Sequence, residues 1–150
     1  MSARLATEAD RVEFLRLGRS HAAEFVADLG FDDEIAGQTF QAYIDTAEPT
    51  IFVVGDSGRL SGYLLAHIHG YSFTSGVFVS QELIYVVPDK RGTRAAARLI
   101  RAFIQWGEAL NAKQIFFGIS NNFQPERTAR LFEHFGAQRV GFNLVLSGAA

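Results

Sequence analysis

The stretch YVVPDKRGTRAAARLI, Tyr85 to Ile100, decides how the chain is read. An apolar β-rich run stops at Pro88, a basic turn containing Gly92 follows, and a helix opens on Ala95, Ala96 and Ala97. A strand that passes through a tight turn into a helix presents the helix's unpaired N–H groups at the strand's C-terminal end. Such groups attract anions, phosphate and pyrophosphate among them. Gly92 permits close backbone approach, the alanines keep bulk out of the first helical turn, and Arg91, Arg94 and Arg98 add charged donors. An ordinary strand–turn–helix with solvated basic side chains has the same pattern. No Gly-Lys-Ser/Thr follows, which argues against a P-loop, and the three spaced glycines of a dinucleotide fingerprint are missing.

Outward from this stretch, the run VFVSQELIYVVP (77–88) reads as the strand that feeds the turn. Residues 91–111 read as a helix with Ala96, Leu99, Ile100, Phe103 and Leu110 facing inward. Upstream, IFVV, GDSG and RLSGYLLAHIHGY (51–71) give a strand, a tight turn and a strand. RLAT near the start is a short strand. Thr7, with Asp10 three residues on, starts a helix through Val12, Leu15, His21, Phe25 and Val26. FDDEIAGQTFQAYIDT (31–46) is a weaker helix capped by Asp32 or Asp33. Downstream, KQIFFGI is a buried-type strand, PERTARLFEHF is a helix opened by Pro125 and stopped by Gly136, and FNLVLSG (142–148) is a final strand. The order β-α-α-β-β-β-α-β-α-β fits a hairpin-rich mixed sheet with a late βαβ unit.

A chain of 150 residues, 48% hydrophobic and with 14 Phe, has core material for one domain spanning 1–150. No apolar run approaches the roughly 18 residues of a membrane span, and MSARLATEAD lacks the apolar stretch of a secretion signal. The absence of cysteine removes disulfides, thiolate metal sites and a cysteine nucleophile, and by default the compartment is the cytoplasm. Charge is segregated: residues 20–58 hold eight acidic side chains and no Lys or Arg, whereas residues 88–130 hold eight basic ones against three acidic. Two solvated faces account for this, as does an anionic ligand at one region and a cationic one at the other. The acidic half argues against nucleic acid as a partner.

The residues Tyr85 to Ile100 resemble the acetyl-CoA-binding segment of the GNAT superfamily of N-acetyltransferases. That family's pattern is a strand ending in Val-x-Pro, then Arg/Gln-x-x-Gly-x-Gly/Ala at a helix start. Val86, Val87 and Pro88 supply the strand end; Arg91 and Ala96 match the loop, and Arg94 stands where the first glycine belongs. RLATEAD, VVGDSGRLSGYLL and RLFEHFGAQRVGF resemble other parts of the same fold, with Ala137 in place of the Phe after Gly136. The resemblance implies an α/β (α+β) fold with a mixed, mostly antiparallel sheet of six or seven strands flanked by about four helices. It also implies acetyl-CoA as cosubstrate, no metal, and an amine-bearing acceptor of a small molecule or protein that attacks directly in a ternary complex.

Carried onto this chain, the family's splayed strand is Ile84, Tyr85 and Val86, whose backbone N–H groups would serve the thioester carbonyl and the pantetheine arm. Arg91, Gly92, Thr93, Arg94, Ala95, Ala96 and Ala97 would hold the pyrophosphate. The family's thiol-side tyrosine falls at Phe132, which has no proton to give. Tyr85 is then the candidate acid, with another tyrosine, water or no acid as alternatives. The helix-starting asparagine of the family falls at Pro125, with Asn121 or Asn122 as a substitute, and Asn122 is the cofactor-binding candidate.

Glu82 is the candidate general base. A lone carboxylate in the apolar run QELIYVV is costly unless it serves something, it stands six residues before Pro88 as in some aminoglycoside-acetylating members, and burial would tune it for proton abstraction. An outward-facing glutamate on an exposed stretch is the other reading. His67 and His69 alternate on one strand and share a face, as relays, ligands or ordinary side chains; two His without carboxylate partners are a weak metal signal. Phe40, Tyr43, Tyr71 and Phe73 line a substrate pocket or simply pack. The expected acceptor is cationic, from the acidic region, and a homodimer is left open. A catalytically weak CoA-binding or protein-interaction module of the same fold is the alternative to an enzyme, supported by Arg94 and Phe132.

Overall fold

The computed structural model describes residues 2–56, 58–119, 121 and 123–148. Its elements are β1 (Ala3–Leu5), α1 (Arg11–Phe25), α2 (Asp33–Ile44), β2 (Ile51–Asp56), β3 (Arg59–Gly70), β4 (Val77–Val86), α3 (Ala95–Ala109), β5 (Ile115–Phe116) and α4 (Pro125–His134). The five strands form one sheet in the order β1-β2-β3-β4-β5. Neighbours are antiparallel as far as β4, and β4 pairs with β5 in parallel through Val79–Ile115 and Ser80–Phe116. The late βαβ unit is therefore β4–α3–β5, as the sequence pattern implies.

Period-2 alternation in β2, β3 and β4 splits the apolar side chains between two cores. Leu17, Phe40, Ile51, Val53, Tyr63, Leu65 and Tyr85 meet under α1 and α2. Phe52, Val54, Leu64, Val79, Leu99 and Phe103 meet under α3. Helix α3 lies unusually close to β4 at Gly107, where a Cβ would stand 2.9 Å from Val79 Cγ2. The helix ends follow local chemistry. Asp32 caps α2 by accepting from Ile35 N–H at 2.9 Å. Thr7 and Asp10 form a reciprocal capping box before α1, and Arg4 pairs with the buried Asp10 carboxylate at 2.7 Å.

Three expectations change. The helix after the basic turn begins at Ala95, not Arg91, because a 3-10 turn over Pro88–Lys90 and a loop precede it. Its buried positions are Ala95, Leu99, Ile100, Phe103 and Gly107. The sheet has five strands among the described residues, not six or seven. FNLVLSG has strand-like alternation, but its side chains stand in solvent with no strand beside them, and the pattern alone makes no ladder.

Candidate active site

Strand β4 is paired with β3 along its length but with β5 at only two positions, so the sheet splits beyond Ser80. The orientation of the backbone in the split follows from pairing. Val87 N–H donates to Ser61 O at 2.9 Å. Alternation then turns the N–H groups of Tyr85 and Leu83 toward β3 and those of Val86 and Ile84 into the gap. Ile84 and Val86 thus offer donors that the β3 pairing does not use, whereas the N–H of Tyr85 belongs to the sheet. At the apex of the split the buried Gln81 accepts Gly118 N–H on its side-chain Oε1 at 3.0 Å. A side chain here replaces the next rung of the ladder and holds the two strands apart.

The gap opens into a groove of about 480 Å³, within the range of small-molecule sites. One wall is β4 from Gln81 to Val86; the others are the loop Lys90–Thr93, the start of α3 at Ala96 and Ala97, the segment after β5, and α4. Eight of the expected cofactor positions line it: Ile84, Tyr85, Val86, Arg91, Gly92, Thr93, Ala96 and Ala97. Two do not. Arg94 points outward, and Ala95 is buried against the sheet with its N–H already given to Thr93 Oγ1 at 3.2 Å. Asn122 lies outside the described residues. Asn121 lines the groove and accepts Phe123 N–H on its own side chain at 3.1 Å.

The N–H groups of Ala96 and Ala97 have no acceptor among the described residues, because the first bond of α3 to a preceding carbonyl is Arg98 N–H to Arg94 O at 2.9 Å. They face the groove at the positive end of a 15-residue helix. Gly92 has φ +81° beside open space, so the turn requires glycine for its backbone and not for lack of room. Arg91 is not a free donor. Its guanidinium bonds Glu24 twice, its Nε donates to Val86 O at 3.0 Å, and it lies over the rings of Phe25, Tyr85 and Phe123. The pair holds the Glu24 carboxyl below its ordinary range. The cations left at the groove are Lys90 and Arg127. Arg127 was not legible as a site residue, because only the packing of α4 brings it there.

Glu82 sits on a β-bulge. Leu65 pairs with Leu83 and Ala66 with Gln81, so Glu82 is the extra residue and falls on the same face as Leu83. That face carries Tyr43 from α2 and His67 from β3. The Tyr43 hydroxyl donates to Glu82 Oε2 at 2.9 Å and lies 2.9 Å from His67 Nε2; His67 Nε2 is 2.6 Å from Glu82 Oε2. Glu82 is 45% exposed, so the expected burial is not found; hydrogen bonds, not an apolar shell, hold its carboxylate. Burial first, then Glu82, push the Tyr43 hydroxyl well above the usual tyrosine range. Of the expected aromatic cluster, only Tyr43 reaches this site. Phe40 is core, Tyr71 bonds Gln114 at 2.8 Å, and Phe73 is fully exposed. His69 turns to Ser80 Oγ at 2.8 Å.

The Tyr85 ring is buried, stacks on His21 at 4.7 Å, and donates its hydroxyl to Glu24 at 3.1 Å. Burial and that carboxylate push it up to about 12. Phe132 lines the groove and stacks on Phe117 at 4.6 Å, so no proton donor stands there. Among the described residues no group of three His, Asp or Glu is arranged for a metal, and no helix is long and apolar enough to cross a membrane.

A strand split with inward N–H groups, leading to an uncapped helix start, defines a site for an extended anionic ligand. Residues 12–137 match the acetyltransferase (GNAT) family, and the chain belongs to that family. No curated protein matches the chain. Solved structures agree on the fold. A probable acetyltransferase superposes with TM-score 0.81 at 16% identity, covering 99% of this chain and 100% of that one. The ribosomal-protein-alanine N-acetyltransferase of Brucella melitensis biovar Abortus 2308 gives 0.74 at 20% identity, with 98% of both chains covered. AAC(6')-Iy, solved with a bisubstrate analog of CoA and acetylneamine, gives 0.76 at 17% identity, covering 99% of this chain and 97% of that one. The family uses acetyl-CoA, and the groove fits it: two strand N–H groups turned into the gap, two free helix N–H groups and two rim cations lie along one path.

Proposed function

We propose that the chain is an acetyl-CoA-dependent N-acetyltransferase that lets an amine attack directly in a ternary complex. Bound acetyl-CoA would supply an electrophilic thioester. The N–H groups of Ile84 and Val86 serve as donors along its arm, and Ala96, Ala97, Lys90 and Arg127 neutralise its phosphates. Oriented donors of this kind are commonly worth a few kcal/mol where charge develops.

The single observation that carries the reading is the position of Glu82. The bulge aims a hydrogen-bonded carboxylate at the apex of the same groove whose far end holds the free helix N–H groups. An acceptor ammonium gives its proton to Glu82, directly or through one water, and the neutral amine attacks. Tyr85 does not serve as the acid here, since its hydroxyl is held by Glu24. A thiolate with a reference pKa of about 8.5 can leave without one. The acceptor is read as cationic. Asp32 and Asp33 are partly spent on the α2 cap and the Arg19 pair, so steering comes from the remaining acids of residues 20–58, and KM for the amine should rise with salt.

The absence of a free proton donor at Phe132 and Tyr85 favours a second reading, a CoA-binding module without efficient turnover. Release of free thiol from acetyl-CoA, followed across a panel of amines, separates the two.

A further inference from the structure

Strand β4 shows one face to α1 and α2 and the other to α3. Leu83 and Tyr85 pack on the first, Ile84 and Val86 on the second. The bulge puts Glu82 on the first face as well. His21 of α1 lies over that same face: its ring stacks on Tyr85 at 4.7 Å and stands edge-on to Phe25 at 5.5 Å. His21, Phe25, Glu82, Leu83 and Tyr85 all line the groove. This side of the groove therefore has a carboxylate at one end, an apolar floor at Leu83, and an imidazole at the other end.

Tyr63 decides which ring nitrogen carries the proton. His21 Nδ1 is hydrogen-bonded to the Tyr63 hydroxyl. That hydroxyl is buried and has no other partner among the described residues. Burial first, then Tyr85, push it well above the usual tyrosine range, so it keeps its proton. Nδ1 is the acceptor within its reach. A proton on Nδ1 would instead strand the phenol proton in the core, which costs more than an unmet lone pair. Desolvation, opposed by Glu24 and aided by Arg91, holds the ring below the ordinary histidine range and so neutral near pH 7. A neutral ring that accepts at Nδ1 carries its proton on Nε2. Among the described residues Nε2 has no hydrogen-bond partner, and no buried side-chain nitrogen or oxygen lacks one. The Nε2–H group therefore reaches open space, and the space that His21 lines is the groove.

We propose that His21 Nε2–H is a second anchor of the acceptor site and selects amines that carry an oxygen acceptor close to the nitrogen. The proposal rests on the acetyl-transfer reading, with the acceptor ammonium at Glu82. Glu82 and the Tyr85 ring beneath His21 stand three residues apart on β4, about 10 Å in a regular strand and less across a bulge. Hydrogen bonds of about 3 Å at the two ends occupy most of that span and leave the oxygen about two or three carbons from the amine nitrogen. Amino alcohols, amino sugars and α-amino carbonyl compounds have that spacing. A second ammonium would meet the N–H head-on, so a diamine of the same length is disfavoured.

Propanolamine and butylamine differ only by a hydroxyl in place of a methyl group. In the wild type, kcat/KM for propanolamine should exceed that for butylamine about 5-fold or more, the scale of one neutral hydrogen bond. In His21→Phe, which keeps the aromatic stack, the ratio should fall to near one. The ratio is taken within one protein, so a loss of folded fraction cancels. Glucosamine against cyclohexylamine, and alaninamide against isopropylamine, tell a hydroxyl source from a carbonyl source. Nitrogen NMR of the imidazole rings needs no turnover. His21 should carry its proton on Nε2, and with CoA bound, propanolamine but not butylamine should shift that signal. Equal rates for every matched pair, a preference that survives His21→Phe, or a His21 protonated on Nδ1 would each overturn the proposal. Thiol release that no amine accelerates would contradict acetyl transfer instead, and the ring signal would still decide the anchor.

Discussion

Glu82 Oε2 stands 2.6 Å from His67 Nε2, and the Tyr43 hydroxyl is 2.9 Å from both. The three side chains come from a bulge, a strand and a helix that only the tertiary fold brings together. Glu82→Gln preserves shape and removes the base. It should lower kcat by about 10²-fold or more and abolish the acidic limb of the kcat/KM profile, with CoA affinity unchanged. His67→Asn and Tyr43→Phe leave the carboxylate but loosen it, so their losses should be nearer 10-fold. A Glu82→Gln enzyme with most of its kcat and its acidic limb intact would make the carboxylate structural.

The free N–H groups at the start of α3 give a prediction with two opposite signs. In Ala97→Glu a negative charge enters the first helical turn, where it is worth about 0.3–1 kcal/mol of added stability. The same charge faces the groove and should weaken CoA binding at least 10-fold. Thermal melts without ligand and titration with CoA measure both signs. For the wild type, CoA at a hundredfold excess over Kd should add about 2.7 kcal/mol.

Gln81 props the split through Gly118 N–H at 3.0 Å. Gln81→Leu keeps volume and leaves the half-buried Gly118 N–H without its acceptor. The expected cost is about 1–3 kcal/mol in urea unfolding, accompanied by weaker CoA binding as the strands close. Loss of stability with an unchanged CoA Kd would show that the prop does not set the width of the groove.

His21 is half-buried beside Tyr63 and Tyr85, and its desolvation there lowers its pKa from the ordinary histidine value. A lowered histidine pKa favours the neutral form in the folded state. Its contribution is therefore fully present above the unfolded value of about 6.5 and declines as pH falls through the folded value. Unfolding free energy should drop between pH 7 and 5, and His21→Gln should flatten that part of the profile. The carboxylates of Asp10 and Glu24, held low by Arg4 and Arg91, act only in more acidic solution.

Much of this was legible in the sequence. Periodicity and caps located all nine described strands and helices, and the Pro88–Ala97 turn marked the candidate anion site without any tertiary information. What escaped depended on register and packing. A one-residue bulge decided that Glu82 would face Tyr43 and His67 and not the opposite core, and no residue type announces a bulge. Arg91 looked like a phosphate donor because its partner Glu24 lies 67 residues earlier. FNLVLSG carried strand-like alternation but pairs with no strand among the described residues, and local pattern is blind to pairing.

The central claim is direct acetyl transfer to an amine, and release of CoA thiol tests it most directly. With acetyl-CoA and a panel of cationic small-molecule amines and peptide N-termini, we predict thiol release that requires both substrates. It should match the acetylated amine one for one and fall about 10²-fold in Glu82→Gln. CoA binding that raises the melting temperature, with no amine accelerating thiol release above the protein-free rate, would contradict the account and leave a binding module in its place.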